Sequence, residues 1–130
     1  MKRRIYYYDT DTSGAVYHAN YLKYLEEARS EFLEERGLTV KGLLERGTGF
    51  AVRRQEMEYK FPALYGDTLE IKTSIKEYTP YRIVFAYAIH NQDGKLIGRA
   101  ETDLVCVGRD LKLVEIPAEV KAALEKEKGL

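Results

Sequence analysis

The chain has 130 residues, enough for one domain with a buried core (1–130) and too few for two ordinary ones. Lys plus Arg total 21 and Asp plus Glu total 21, so the formal net charge is zero and the basic footprint of a nucleic-acid binder is missing. With 45% apolar and 32% charged residues, the composition is that of a folded chain, not a disordered one.

The first residues, Met1 to Tyr6, are basic but lack the apolar stretch and cleavage site of a secretory signal. No apolar run approaches the ~18 residues of a membrane span. The expected compartment is therefore the cytoplasm. Arg3 to Tyr8 is short, aromatic and β-prone, which predicts a strand. The following Asp9-Thr10-Asp11-Thr12-Ser13-Gly14 is loop chemistry. Next, Tyr21, Tyr24, Leu25, Ala28 and Phe32 recur at helical spacing. They predict an amphipathic helix from about Ala19 to Arg36, stopped by Gly37, and a shorter helix follows over Val40 to Arg46.

From there the period changes to two. Met57, Tyr59 and Phe61 alternate with charged residues, but Phe50 and Val52 have the opposite parity. That break predicts a bulge near Arg53-Arg54-Gln55. Leu69, Ile71, Thr73 and Ile75 form one face of the next strand, and Tyr81, Ile83, Phe85, Tyr87 and Ile89 one face of another. Gln92-Asp93-Gly94 turns the chain into a last strand over Lys95 to Val107. Cys106, the single cysteine, lies in the apolar run Leu104 to Val107 and reads as a small buried hydrophobe. His90, beside the turn, is expected to be exposed. Pro117 opens a C-terminal helix over Ala118 to Lys126, and Glu125 to Gly129 reads as a fraying end.

Four consecutive strands with mostly short links and one long amphipathic helix predict an α+β domain. A curved antiparallel sheet would wrap around the helix. Its edges and one face stay under-covered, which pairing in a dimer would remedy.

Chemistry is expected at Asp9 to Tyr21. Free N–H groups at a helix start make an oxyanion site, and Gly14 lets backbone approach a ligand. Asp11 supplies a carboxylate. Shielding by the surrounding tyrosines and the neighbouring Asp9 would both push its pKa up. Asp and Thr before a helix also serve commonly as caps and turn formers. Asp9, Asp11 and His18 do not complete a metal ligand set, so no metal is expected. Neither Ser13 nor Ser30 has a nucleophile elbow around it.

Tyr8-x-Asp9-x-Asp11-x-x-Gly14-x-Val16-Tyr17-His18-x-Asn20-Tyr21 closely resembles the signature of hotdog-fold thioesterases of the 4-hydroxybenzoyl-CoA type, in particular the YbgC-like acyl-CoA thioesterases. Phe50 to Arg54, Met57 to Tyr59, Pro62-Ala63 and Val105 to Val107 extend the resemblance over most of the chain. The resemblance implies the hotdog fold, acyl-CoA hydrolysis and no cofactor. It puts the catalytic carboxylate on Asp11 and the carbonyl-polarising donor on the backbone N–H at or next to His18, with Tyr17, His18 and Asn20 around the substrate. It further implies a homodimer with active sites at the subunit interface, assembling as a dimer of dimers. Arg53, Arg54 and Arg82 are candidates for the CoA phosphates, because guanidinium matches phosphate geometry. A hydratase or dehydratase on the same fold, or a non-catalytic acyl-CoA or acyl-carrier binding module, is the alternative. The motif leaves open whether Asp11 attacks as nucleophile or activates water.

Overall fold

The computed structural model describes residues 1–128, with side chains through Glu125. In chain order the elements are β1 (Lys2–Arg4), α1 (Asn20–Glu34), α2 (Val40–Glu45), β2 (Gly49–Tyr59), β3 (Thr68–Tyr78), β4 (Arg82–His90), β5 (Leu96–Val107) and α3 (Ala118–Lys128). The strands form one antiparallel sheet in the order β1-β3-β4-β5-β2. The α1 stripe expected from spacing is the buried one: Tyr21, Tyr24, Leu25, Ala28 and Phe32 are each under 5% exposed. They pack on the sheet's apolar face, where Ile71, Ile83, Phe85, Ile89, Ile97 and Leu104 are buried. Burying such side chains contributes about 1.5–3 kcal/mol apiece, which is what curls the sheet around the helix. α3 closes one side through buried Val120, Ala123 and Leu124.

α1 ends at Glu34, two residues before the expected Arg36, with Gly37 at φ 82° accepting the left-handed conformation that follows its end. Thr39 caps α2, its side chain accepting the Gly42 N–H at 2.9 Å. The parity break in β2 is a register shift between Val52 and Arg54, so Arg53 is the extra residue. Cys106 is fully buried, and burial raises its thiol pKa. α3 runs on through Lys128, into the stretch expected to fray, and Gly129 lies outside the described residues. None of the described helices is long and apolar enough to cross a membrane.

Two local expectations are corrected. The strand expected over Arg3 to Tyr8 stops at Arg4, and Tyr7–Asp9 forms a 3-10 turn. The Asp9 N–H bonds back to the Tyr6 carbonyl and the Asp9 carboxylate takes the Tyr6 N–H, which folds this segment away from the sheet. His90 is not exposed: it is half-buried, and its Nδ1 is enclosed without a hydrogen-bond partner.

Candidate active site

Asp9 and Asp11 sit two residues apart in opposite environments. Asp9 is only 4% exposed. Its Oδ1 accepts the Tyr24 hydroxyl at 2.7 Å, and its Oδ2 accepts the Tyr6 N–H at 2.8 Å and the Arg3 guanidinium at 3.1 Å. Burial alone would raise this carboxyl, but the Tyr24 and Tyr6 hydrogen bonds and the Arg3 charge outweigh it and hold the pKa below the usual range. The main-chain carbonyl of Asp9 accepts the Tyr17 N–H at 3.0 Å and the Asn20 side-chain amide at 2.9 Å. Asp9 therefore ties β1, the 3-10 turn and the start of α1 into one unit.

Asp11 stands at the tip of a tight turn and is exposed. Its Oδ1 accepts both the Ser13 N–H at 2.8 Å and the Ser13 hydroxyl, an Asx turn. The turn closes with Asp11 N–H to Ala15 carbonyl and Gly14 N–H to Asp11 carbonyl, both 3.0 Å, with Gly14 at φ 87°. The Ser13 hydrogen bonds lower the Asp11 pKa, and the nearby His18 adds to that. This corrects the expectation of a tyrosine-shielded carboxylate with a raised pKa. The buried member of the pair is Asp9, and Arg3 and Tyr24 absorb its charge before it can act on Asp11. Neither aspartate caps α1, whose N-cap is Ala19 with no side-chain hydrogen bond.

Tyr17, His18 and Asn20 converge at the start of α1. The Tyr17 and His18 rings lie 4.7 Å apart, and the Asn20 N–H bonds to the Tyr17 carbonyl at 2.9 Å. The His18 N–H has no hydrogen-bond partner among the described residues. It is a free donor at the positive end of a helix dipole. Such a donor is suited to a carbonyl oxygen that gains negative charge.

A groove of about 470 Å³ runs beside α1, from Leu22 in its first turn to Leu33 in its last. At 1.5 Å per residue that is about 16 Å of helix. Its other wall is α2 and the start of β2, with Leu44, Phe50 and Val52. Glu26, Arg29 and Ser30 are the polar groups that α1 contributes besides Lys23. Arg29 donates to the buried hydroxyls of Tyr87 at 3.1 Å and Thr102 at 3.3 Å, so this part of the wall is held in place.

The three arginines do not join this cluster as free cations. Asp103 accepts Arg53 at 3.1 Å and Arg82 at 2.9 Å, and Arg54 pairs with Glu56 at 3.2 Å. Sequence reasoning also missed two residues that shape the site. Arg3 and Tyr59 reach it from the start of the chain and from the end of β2, and no local motif marks either contact.

The chain matches the profile of the thioesterase-like superfamily over residues 6–124. It is 39% identical over 104 residues to the acyl-CoA thioester hydrolase YbgC of Escherichia coli O6:H1, covering 80% of this chain and 78% of that one. The structure superimposes on DHNA-CoA thioesterase from Staphylococcus aureus with a TM-score of 0.95, at 26% identity, covering 100% of this chain and 90% of that one. An aspartate-to-asparagine variant of 4-hydroxybenzoyl-CoA thioesterase, complexed with 4-hydroxybenzoyl-CoA, superimposes with a TM-score of 0.87 at 27% identity, covering 95% and 96%. The helix-wrapped sheet is the hotdog fold, and the chain belongs to the thioesterase-like superfamily as an acyl-CoA thioesterase.

Proposed function

We propose that Asp11 and the His18 N–H carry out the hydrolysis, at a site completed by a second copy of this chain. The observation that supports this most is the pairing of an exposed carboxylate, held in its ionised form, with an unpartnered N–H at the start of α1. The thioester carbonyl accepts the His18 N–H, and the helix dipole stabilises the growing oxyanion. Asp11 either attacks the carbonyl carbon, giving a mixed anhydride and free thiolate, or takes a proton from the attacking water. Tyr17 and Asn20 flank the donor. The groove beside α1 supplies an apolar wall for the acyl group. The aspartate-to-asparagine variant that holds 4-hydroxybenzoyl-CoA in a structural relative is in keeping with an aspartate needed for turnover.

The dimer reading rests on β2. Its 11 residues form one edge of the sheet, and Val52 and Tyr59 along it are 55% and 51% exposed. A long open edge of this kind favours pairing with another strand. A two-fold axis makes that pairing antiparallel, so the Tyr59 end of one subunit meets the Gly49 end of its partner. Two such dimers would give the dimer of dimers. For Arg53, Arg54 and Arg82 to hold CoA phosphates, they would exchange Asp103 and Glu56 for the ligand.

Asp11→Asn is the decisive variant. Asparagine keeps the Oδ1 acceptor for Ser13, so the turn survives, but it is neither nucleophile nor base. Turnover of acyl-CoA should fall about a thousandfold or more with the fold intact. Hydrolysis near the wild-type rate would end the assignment.

A further inference from the structure

We propose that the Tyr59 hydroxyl is a positioning group for the His18 donor, so that the last residue of β2 sets the alignment of the oxyanion site. This rests on the His18 reading above. The Tyr59 Oη donates to the His18 carbonyl at 3.0 Å. That carbonyl lies outside the helix ladder: the Leu22 N–H goes to Ala19 and the Asn20 N–H to Tyr17. Tyr59 is thus its hydrogen-bond donor among the described residues.

The chain on either side of His18 is already pinned. The Tyr17 N–H is held by the Asp9 carbonyl, and the Asn20 side chain by the same oxygen. The His18 N–H shares its peptide plane with the Tyr17 carbonyl, which the Asn20 N–H holds at 2.9 Å. The next plane carries the His18 carbonyl, and fixing it through Tyr59 holds the backbone rotation at His18, so that the N–H plane cannot tilt against the start of α1. The Tyr59 ring is itself held from two sides, edge-on to Tyr21 at 5.6 Å and to His18 at 6.4 Å. Burial raises the Tyr59 phenol above its ordinary pKa, so it stays a donor at neutral pH. The backbone beneath it is fixed by Gly98, the β5 partner of Tyr59, where an added Cβ would lie 2.5 Å from the Glu58 carbonyl oxygen.

Tyr59→Phe keeps the ring contacts and deletes only the hydroxyl. The expected result is a fall in kcat of about tenfold, because a donor displaced by a fraction of an ångström loses much of its effect. KM for acyl-CoA should stay within about twofold and the thermal midpoint nearly unchanged. The same variant, labelled for NMR, should show a lower order parameter at the His18 amide than the rigid value of about 0.85. A rise in KM with kcat unchanged would place Tyr59 against substrate and overturn the proposal. So would an unchanged kcat with a rigid His18 amide, or an activity loss that only tracks a lowered thermal midpoint. A loosened amide with unchanged kcat would count against the His18 donor itself. Full activity in Asp11→Asn beside a slow Tyr59→Phe would sink the Asp11 assignment and leave this one standing.

Discussion

Asp9→Ala removes the carboxylate that ties β1 to the start of α1, and its cost can be worked out from the contacts. The Tyr24 side chain is 1% exposed, so its hydroxyl would lose its acceptor with little access to water. An unsatisfied buried hydroxyl costs about 1–3 kcal/mol. Arg3 would lose the 3.1 Å charge-assisted bond, worth about 1.5–3 kcal/mol, and keep Glu27 at 3.3 Å and the Arg4 carbonyl at 2.8 Å. Breaking a buried ion pair from one side costs about 3–5 kcal/mol in all, a large share of the about 5–15 kcal/mol that holds a domain folded. Urea unfolding at neutral pH measures it, with the m-value expected to stay constant. A loss below about 1 kcal/mol would refute the reasoning. The pH dependence gives a second check. Asp9 is ionised more readily folded than unfolded, so its contribution is complete above the unfolded carboxylate pKa of about 3.9. It disappears as the pH falls through the lower folded value. The gap between wild type and Asp9→Ala should therefore be flat from neutral pH to about pH 5 and close below about pH 4. A gap that held its size well into that acid range would contradict the assignment.

Gly98→Ala should destabilise the fold by about 1–3 kcal/mol, since the new Cβ would meet the Glu58 carbonyl oxygen at 2.5 Å and Met57 Cε at 2.8 Å. A thermal midpoint within a degree of wild type would show that β2 and β5 separate easily. Asp103→Ala should cost about 1–3 kcal/mol in chemical unfolding, because Arg53 and Arg82 lose the carboxylate they share. A stability unchanged within error would mean that solvent serves the two guanidinium groups equally well.

What could be read from the chain in advance was whatever repeats with a period. The α1 stripe and the alternation of β4 select the residues that the structure buries, because burial must follow 3.6 or 2 residues per repeat once the element type is fixed. The change of parity between Val52 and Met57 marked the β2 bulge for the same reason. Aperiodic features were misread. Tyr6 to Tyr8 have strand composition, but they lack a buried side on which alternation could act: all three are more than half exposed. Shielding was expected at Asp11, and the structure leaves Asp11 exposed and buries Asp9. What separates them is Arg3, six residues back, and Tyr24, fifteen residues on, and no spacing rule reports which aspartate those two meet. Tyr59 is further still, 41 residues from the carbonyl it holds. The identity of Asp11 as the candidate carboxylate came through resemblance. The geometry adds two separate facts: an exposed carboxylate whose pKa is lowered, and an unpartnered N–H at the start of α1.

The two aspartates divide incompatible requirements. A carboxylate that organises a loop is best buried and fully hydrogen-bonded, because its charge is then worth several kcal/mol to the fold. A carboxylate that reacts must keep a lone pair free and must be reachable. Asp9 meets the first requirement and has no oxygen left for a substrate. Asp11 meets the second: Ser13 engages only its Oδ1, and Oδ2 has no hydrogen-bond partner among the described residues. Its lowered pKa makes it a weak base in the free subunit but keeps it ionised. Covering the turn with acyl-CoA and a second subunit would remove water and raise its basicity. On the proposed mechanism the reactive group would be moderated in the free subunit and strengthened in the complex, while Asp9 holds the main chain still. If that division is correct, Asp9→Ala should lower kcat even at temperatures where the variant is fully folded, because the Tyr17 and Asn20 anchors rest on a carbonyl whose position the Asp9 carboxylate fixes. A folded Asp9→Ala enzyme with wild-type kcat would show that the main chain keeps its place without that anchor.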